Sequence, residues 1–362
     1  MMRDFHAVAV AEVKRETPEA ISVTFAIPEH LREAFRFQPG QHLTLRVMFD
    51  GEETRRNYSI CSGPSDPLRI AIKRVTGGRF SLWANATLKA GAAIDIMPPQ
   101  GRFVLPASDG GARHVVAFAA GAGITPILAM VKQALLHEPG TRVTLVYGNR
   151  SPETILFREE LEDLKDRHLG RFNLVHVLSR NEESSTPLLE GRITGEKIKA
   201  LSARLFKPDD VAHVFLCGPG SMIKETRNAL LDVGFAREKV HHEFFAPGGG
   251  ALRKPHASLQ PPPAIASKAE GSEVVAILDG LRHQFTVPPG GHVVDAALAA
   301  GIRVPYSCKG GMCCTCRARL VEGKAEMTTN YSLETWEIER GFILTCQAVP
   351  KSDRLVLDYD QM

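Results

Sequence analysis

The sequence predicts a multidomain protein that contains an antiparallel β-barrel, an α/β domain with a parallel sheet and a smaller α+β domain. Three observations lead to this fold class. Short strands separated by turn residues fill residues 1–107, apolar strands alternate with helices over residues 111–247, and five of the seven cysteines lie within residues 273–362. A chain of 362 residues is also longer than one hydrophobic core usually accommodates. Residues 248–272 are rich in Gly and Pro and are predicted to be a flexible linker.

The composition is that of an ordinary globular protein, with 44% hydrophobic and 23% charged residues. The net charge of +3 gives no basis for nucleic-acid binding. Charged residues such as Glu12 and Lys14 follow soon after the start, which argues against a signal peptide. No apolar run approaches the length of a membrane helix. We therefore expect a cytoplasmic protein with reduced thiols and neither a membrane nor a nucleic-acid partner.

Turn residues divide the first domain into short strands with β-branched or alternating apolar residues. The predicted strands are residues 8–10, 21–25, 42–47 and 68–73. Strands spaced this closely are typical of an antiparallel barrel or sandwich.

Two glycines, Gly77 and Gly78, precede a helix-like run over residues 82–88. Glycines at a helix start leave backbone N–H groups free, and the positive end of the helix dipole points at the same place. This segment therefore predicts a phosphate-binding site.

The second domain begins with an apolar run, residues 114–119, that leads into a Gly121-Ala122-Gly123 turn. Further strands are predicted at residues 143–147, 174–178 and 213–217, and helices at residues 127–136, 156–166 and 222–233. Alternation of this kind indicates a parallel sheet covered by helices on both faces. Because ligands of such sheets bind at the carboxyl ends of the strands, the glycine turn, Tyr147-Gly148-Asn149 and Cys217-Gly218-Pro219 are candidate binding segments.

Four cysteines of the last domain have the plant-type spacing for a [2Fe–2S] cluster. Cys308, Cys313 and Cys316 form C-x4-C-x2-C, and Cys346 follows later as the fourth ligand. Cys314 falls outside the spacing and is interpreted as a spare buried thiol. A zinc site usually shows two CxxC or HxxxH pairs, and a disulfide framework suits small secreted domains; both remain alternatives.

The rest of the last domain has mixed elements. A hairpin is predicted around Asp279-Gly280, followed by a helix over residues 293–300 and a strand over residues 317–320. A second helix is expected to begin at Ser332 as N-cap and to end at Gly341.

Together these motifs resemble the ferredoxin–NADP reductase family fused to a C-terminal plant-type ferredoxin. The similarity is carried by Arg56-x-Tyr58-Ser59, by the glycine turn with Ile124-Thr125-Pro126, by Cys217-Gly218-Pro219 and by the cysteine pattern. It implies an FAD-binding β-barrel (1–107), an NAD(P)-binding domain (111–247) and a β-grasp ferredoxin domain (273–362). The implied cofactors are FAD, NADPH and a [2Fe–2S] cluster.

The resemblance also implies a role for each site residue. Ser59 would lie near flavin N5, and Cys217 beside the nicotinamide; these two would be the catalytic residues. Arg56 would pair with the FAD pyrophosphate, and Tyr58 would stack on the isoalloxazine. Further FAD-binding residues would be Asn57, Gly78, Arg79, Phe80 and Ser81. The nicotinamide nucleotide would contact Gly121, Gly123, Thr125, Ser179, Arg180, Gly218 and Pro219.

Ser179-Arg180 matches the pair that reads the adenosine 2′-phosphate in the family. The planar fork of Arg180 suits a phosphate dianion, which favours NADPH over NADH. Glu182 and Glu183 lie nearby and oppose this inference. Glu243, at the end of a predicted strand, has either a role in the active site or a structural role.

The implied activity is that of an NADPH-dependent oxidoreductase that passes electrons from NADPH through FAD and the cluster to an oxygenase. A closer match, to the reductases of multicomponent acyl-CoA epoxidases in aromatic-acid degradation, implies oxygenase subunits of such an enzyme as partners. It is carried by residues 39–45, 147–150, 330–334 and 346–348. Two alternatives remain open from the residues alone. One is a reductase for a ring-hydroxylating or steroid hydroxylase system, and the other is a redox carrier or sensor without turnover.

Overall fold

The computed structural model describes residues 4–180, 186–245 and 271–361. The chain divides into two compact units, Met1–Gly248 and Gly249–Met362, called here the first and second units. Residues 248–270 of the predicted linker lie outside the described residues. Within the described ranges, no helix is long and apolar enough to cross a membrane.

The first unit begins with the antiparallel barrel that the sequence predicts. Its strands are β1 (His6–Thr17), β2 (Ala20–Ala26), β3 (His42–Phe49), β4 (Glu52–Ser59), β5 (Arg69–Lys73) and β6 (Ala93–Gln100). They pair in the order β4-β3-β6-β1-β2-β5, and a bridge between Ile60 and Ile70 brings the two edges together. Alternate residues such as Leu43 and Leu45 point into a fully buried core, as period-two patterning requires. Helix α1 (Arg79–Thr87) packs Phe80 and Ala84 into the same core and begins three residues before the predicted run.

The α/β part of the first unit follows at His114. Its elements are β7 (His114–Ala120), α2 (Ile124–His137), β8 (Arg142–Asn149), α3 (Arg158–Arg167), β9 (Phe172–Leu178), α4 (Gly195–Leu205), β10 (His213–Gly218), α5 (Gly220–Asp232) and β11 (Val240–Phe244). All strands are parallel, in the order β11-β10-β7-β8-β9. The predicted parallel sheet is confirmed, and its continuous apolar strands are buried because helices cover both faces. Helix α4 is an addition to the predicted elements.

The second unit is a mixed sheet with two short helices. Its elements are β12 (Ser272–Leu278), β13 (Leu281–Val287), α6 (Val293–Ala299), β14 (Arg317–Glu322), β15 (Ala325–Met327), α7 (Thr335–Glu339), β16 (Phe342–Leu344), β17 (Ala348–Pro350) and β18 (Arg354–Asp358). The main sheet has the order β13-β12-β18-β14-β16, and β15 pairs with β17. The predicted hairpin turn has φ of 49° at Asp279 and 76° at Gly280, as a two-residue turn with two left-handed residues requires.

One predicted boundary in the second unit is wrong. Helix α7 begins at Thr335 with Glu334 as N-cap, and Ser332 lies before it. The Ser332 hydroxyl donates instead to the Gly311 carbonyl at 3.3 Å, which ties this segment to the cysteine loop. Glu334 and Glu337 form a capping box, which satisfies the free amides at the helix start.

An ion cluster joins the barrel to the α/β part within the first unit. Lys132 of α2 lies 2.5 Å from Asp66 of the barrel and 2.5 Å from Glu160 of α3. Nη2 of Arg69, in β5, donates to both carboxylate oxygens of the same Glu160, at 2.8 and 2.7 Å. Although partial burial opposes the effect, the bond from Lys132 lowers the pKa of Asp66. Two cations and two carboxylates thus neutralise each other at the boundary.

We expect Lys132→Met to lower the free energy of unfolding of the first unit by about 2 kcal/mol, because two partly buried carboxylates lose a shared cation. Urea unfolding followed by circular dichroism measures this change. Lys199→Met removes an exposed ion pair with Asp232 and serves as the matched control. It should cost about 0.5 kcal/mol or less. Equal losses in the two variants would show that the cluster adds nothing beyond a surface pair.

Candidate active site

The end of barrel strand β4 meets the carboxyl ends of β10 and β11 inside the first unit. Ser59 is the last residue of β4, and its hydroxyl donates to Glu243 Oε2 at 3.4 Å. Glu243 of β11 is the register partner of Cys217 in β10. The two residues predicted to be catalytic therefore lie on either side of one carboxyl group. Sequence reasoning left Glu243 undecided, and its position at a strand end was the only signal for it.

Burial keeps this group of side chains uncharged near neutral pH. Desolvation raises the pKa of Glu243 to about 8, and the hydrogen bond from Ser59 opposes this shift only in part. Burial, with the neighbouring Glu243 as a smaller cause, raises the pKa of the Cys217 thiol well above its usual value. Cys217 is fully buried and Ser59 is 4% exposed. The site thus offers a thiol, a hydroxyl and a carboxylic acid rather than fixed anions.

The glycine turn after β7 packs directly against the Cys217 strand. A Cβ added at Gly123 would lie 2.2 Å from the Cys217 carbonyl oxygen, so no larger residue fits there. Gly121 has φ of 54°, and a Cβ added to it would meet no atom within 4 Å. Thr125 is buried, and its hydroxyl donates to the Ala122 carbonyl at 2.9 Å. Across the turn, Gly218 ends β10 and Pro219 is the N-cap of α5. The turn is therefore close to Cys217 and open on its other side, which fits a nicotinamide nucleotide.

Barrel residues of the Arg56-x-Tyr58-Ser59 segment lie beside the start of α1. The Tyr58 ring packs against Phe80 with centroids 5.7 Å apart, and burial raises the pKa of Tyr58 above its usual value. Helix α1 has neither a side-chain cap nor an acidic residue in its first turn. Its first backbone N–H groups therefore have no partner within the helix, so they suit a phosphate. An aromatic ring beside such a helix start fits FAD.

Three predicted FAD-binding side chains are engaged within the barrel. The Ser81 hydroxyl donates to the Gly78 carbonyl at 3.1 Å and accepts from the Val75 amide at 3.1 Å. Arg79 forms an ion pair with Asp50. Asn57 Oδ1 accepts from Thr44 at 2.9 Å, and its Nδ2 lies 3.0 Å from His42 Nε2. Phosphate binding at Gly78, Arg79, Phe80 and Ser81 therefore depends on backbone N–H groups more than on these side chains.

The predicted 2′-phosphate pair extends strand β9 by two residues. The Ser179 amide donates to the Asn149 backbone carbonyl at 2.9 Å, and the Arg180 amide donates to the Arg150 carbonyl at 2.8 Å. Arg180 is exposed at the carboxyl end of the sheet, which is the binding edge of this architecture. Glu182 and Glu183 lie outside the described residues.

In the second unit, the four predicted ligands form two adjacent pairs. The thiols of Cys308 and Cys313 share a hydrogen bond, and so do those of Cys316 and Cys346. In the described part of the chain, no three His, Cys, Asp or Glu side chains are grouped as ligands of a single metal ion. All seven cysteines are free thiols. Two pairs of thiols suit two irons, and this donor set fits a [2Fe–2S] cluster.

Tight turns and amide donors shape the cysteine loop. Lys309, Gly311 and Cys314 have φ of 49°, 74° and 54°, so three residues of the loop adopt left-handed backbone conformations. The Gly310 amide donates to Cys308 Sγ at 3.3 Å. Gln347, which the sequence analysis missed, donates to the Lys309 carbonyl at 2.8 Å and contacts Cys346 Sγ at 3.7 Å. Donors of this kind orient thiolate ligands and tune a cluster. Cys314 Sγ points instead to the Ser332 hydroxyl, at 3.0 Å.

Comparisons with known proteins agree with this arrangement. The model of an oxidoreductase FAD-binding domain matches residues 7–105, that of an oxidoreductase NAD-binding domain matches residues 118–228, and that of a 2Fe-2S iron-sulfur cluster binding domain matches residues 276–351. These three matches support FAD, a nicotinamide nucleotide and a [2Fe–2S] cluster as the cofactors.

Full-length relatives are also found. The chain is 39% identical to one of the subunits of 1,2-phenylacetyl-CoA epoxidase from Escherichia coli (strain K12), over 99% of each chain. It is 35% identical to the ferredoxin reductase component of 3-ketosteroid-9-alpha-monooxygenase from Rhodococcus rhodochrous, over 97% of this chain and 96% of the relative. Among solved structures, phthalate dioxygenase reductase is similar with a TM-score of 0.59 at 25% identity, covering 98% of each chain.

Glu243→Gln should change how stability depends on pH. Because the folded protein holds the Glu243 proton up to a pKa of about 8, the folded state binds more protons than the unfolded state above the ordinary glutamate pKa of 4.5. Stability therefore falls as pH rises through this window, by on the order of 1–2 kcal/mol for a half-buried carboxyl. The glutamine variant should lose this decline.

Urea unfolding of both proteins at pH 5 and pH 8 measures the effect. Glu225→Gln, on the exposed side of α5, is the control and should track the wild type. Parallel pH profiles for wild type and Glu243→Gln would contradict the elevated pKa.

Neighbouring cysteines in the loop should behave differently. Cys313→Ala removes a predicted ligand and should reduce iron from about two atoms per chain towards none. Cys314→Ala removes only the contact with Ser332 and should leave iron and visible absorbance nearly unchanged. Iron and sulfide analysis after anaerobic reconstitution measures both, and equal iron loss in the two variants would refute this ligand assignment.

Proposed function

This chain belongs to the family of oxygenase reductases that join an FAD-binding, an NAD-binding and a [2Fe–2S] domain, and we propose that it delivers electrons from NADPH to a phenylacetyl-CoA epoxidase. The observation that carries this choice of partner is the full-length similarity to the epoxidase component. The proposed acceptors are the oxygenase subunits of that multicomponent enzyme, which places the chain in phenylacetate catabolism. The proposed domains of the chain are an FAD-binding barrel (1–107), an NAD(P)-binding domain (111–247) and a ferredoxin domain (273–362), with a linker (248–272) before the last.

The barrel residues named below would hold FAD, which would supply two-electron chemistry with the nicotinamide and one-electron chemistry with the cluster. The chain's own residues would hold the reactants in place for this step. The proposed FAD-binding residues are Arg56, Asn57, Tyr58, Ser59 and the amides of residues 78–81. The proposed nucleotide-binding residues are Gly121, Gly123, Thr125, Ser179, Arg180, Cys217, Gly218 and Pro219. The proposed ligands of the cluster are Cys308, Cys313, Cys316 and Cys346.

Ser59 and Cys217 are the proposed catalytic residues, with Glu243 between them. Cys217 supplies a small uncharged surface at the place where the nicotinamide ring would lie. Glu243 holds a proton near neutral pH and accepts the hydrogen bond that Ser59 donates, which would keep Ser59 Oγ in one position beside the flavin. An uncharged site also avoids repelling a phosphorylated nucleotide. Because no acid–base step is needed for hydride transfer itself, positioning would account for most of the rate.

A second candidate function is electron supply to a steroid hydroxylase. The full-length similarity to the 3-ketosteroid monooxygenase component favours it, and both candidates use the same residues within this chain. The cytoplasm is the proposed location for either activity, since free thiols suit a reducing compartment.

A coupled assay tests the proposed partner. The purified protein, loaded with FAD and cluster, is mixed with NADPH and with the oxygenase subunits of a phenylacetyl-CoA epoxidase, and substrate-dependent oxygen consumption is followed. Oxygen consumption should require both the reductase and phenylacetyl-CoA. A 3-ketosteroid oxygenase component and its steroid substrate form the parallel arm. If only the steroid oxygenase consumes oxygen, the chain is a reductase of a steroid hydroxylase and not of the epoxidase. If the protein reduces ferricyanide but supports neither oxygenase, it is a reductase whose partner is a different oxygenase.

Arg180→Ala should weaken the binding of NADPH but not the binding of NADH. Loss of a charge-assisted bond to the 2′-phosphate should raise KM for NADPH about tenfold or more, with KM for NADH changed less than about twofold. Ferricyanide reduction with each nucleotide measures both values. Arg158→Ala, whose exposed side chain pairs with Glu162, is the matched control and should leave both KM values near those of the wild type. A similar rise for both nucleotides would show that Arg180 does not read the 2′-phosphate.

A further inference from the structure

Two side-chain hydroxyls hold the carbonyl groups of the glycine turn between β7 and α2. The Tyr147 hydroxyl donates to the Gly121 carbonyl at 3.0 Å, and the Thr125 hydroxyl donates to the Ala122 carbonyl at 2.9 Å. The bond from Thr125 is local, because Thr125 belongs to the helix that follows the turn. Tyr147 belongs to the neighbouring strand β8, so its bond fixes the turn relative to the sheet.

The direction of the Gly121 carbonyl determines the direction of the next amide. In a planar trans peptide, the C=O of one residue and the N–H of the next point in opposite directions. The Ala122 N–H therefore points away from Tyr147. Gly121 borders open space, since a Cβ added there would meet no atom within 4 Å. Ala122 itself is half-buried at the carboxyl ends of the strands. Its amide is thus available to an oxygen atom of a ligand at this edge.

Tyr147 is suited to this task because it can neither move nor ionise easily. Its side chain is fully buried, and its ring packs against His176 of β9 with centroids 5.9 Å apart. Burial raises the pKa of Tyr147 well above its usual value, so the phenol remains a hydrogen-bond donor at any physiological pH. Core packing alone would need only a phenylalanine at this position. Packing does not explain the hydroxyl. The Asn149 side chain and the Leu156 amide face its oxygen as donors, which leaves its proton for the Gly121 carbonyl.

We propose that Tyr147 is a positioning residue for the nicotinamide dinucleotide, aiming the Ala122 N–H at a phosphate or ribose oxygen through its bond to Gly121. This inference rests on the proposed placement of the nucleotide at the Gly121–Gly123 turn. Removal of the hydroxyl leaves the bond from the Ile124 amide to the Gly121 carbonyl, so the turn keeps its local shape. The turn then loses the bond that fixes its position relative to strand β8. The effect should therefore fall on nucleotide affinity rather than on the reaction rate of the bound nucleotide.

Tyr147→Phe in the full-length, FAD-loaded protein tests the proposal. Titration calorimetry with NADP+ gives the Kd, and ferricyanide reduction with NADPH gives KM and kcat. We expect Kd and KM to rise about three- to tenfold. This rise is smaller than the one expected when a hydrogen bond to a charged group is lost completely, because the Ala122 amide is misaligned but still present. The value of kcat should stay within about twofold of the wild type. If the wild type prefers NADH, the same measurements are made with NAD+ and NADH.

Thr144→Val provides the matched control. Thr144 lies in the same strand, is buried, and its hydroxyl is 2.9 Å from His114 Nε2 at the opposite edge of the sheet. This variant also loses one buried hydroxyl, so it should lose comparable thermal stability but keep the wild-type Kd. An unchanged Kd in Tyr147→Phe would overturn the proposal, and so would equal weakening in both variants or a fall confined to kcat. Failure of the wild type to bind or oxidise either nucleotide would instead refute the proposed function.

Discussion

The contact of barrel strand β4 with the ends of β10 and β11 is the constraint on which the first unit depends. Ser59 belongs to the barrel sheet, whereas Cys217 and Glu243 belong to the parallel sheet. Their side chains can form one site only while the two sheets keep the same relative position. Within the α/β part, Gly123 lets the glycine turn approach β10 closely, because the Cys217 carbonyl leaves no space for a side chain there. The candidate site is thereby built from segments that are far apart in sequence.

Charge is distributed in the first unit so that the site stays neutral while its boundary is ionic. Glu243 is near Ser59 and Cys217, and desolvation keeps it protonated. By contrast, Asp66 and Glu160 are paired with Lys132 and Arg69, so cations and carboxylates balance each other at the boundary. Ionic bonds therefore join the two parts of the unit without placing a fixed charge beside Ser59 and Cys217.

Much of this arrangement could be predicted from the sequence because the relevant signals are local. The spacing from Cys308 to Cys316 identifies the cluster loop, and the apolar run into Gly121 identifies the first strand of a parallel sheet. Signals that depend on distant partners were weaker or misleading. Ser332 has the form of an N-cap, but the cysteine loop uses its hydroxyl. The position of Glu243 at a strand end makes it a candidate, but its contact with Ser59 exists only when the end of β4 lies beside β11.

The ion cluster around Lys132 has a consequence for turnover as well as for folding. Hydride transfer is sensitive to distance, and a misplacement of about 1 Å can cost on the order of a hundredfold in rate. Since Asp66 belongs to the barrel and Glu160 to helix α3, any change in their spacing tilts one cofactor-binding half against the other. Substitutions in this cluster, although they touch no reactant, should thus be visible first as slower catalysis in a protein that still folds.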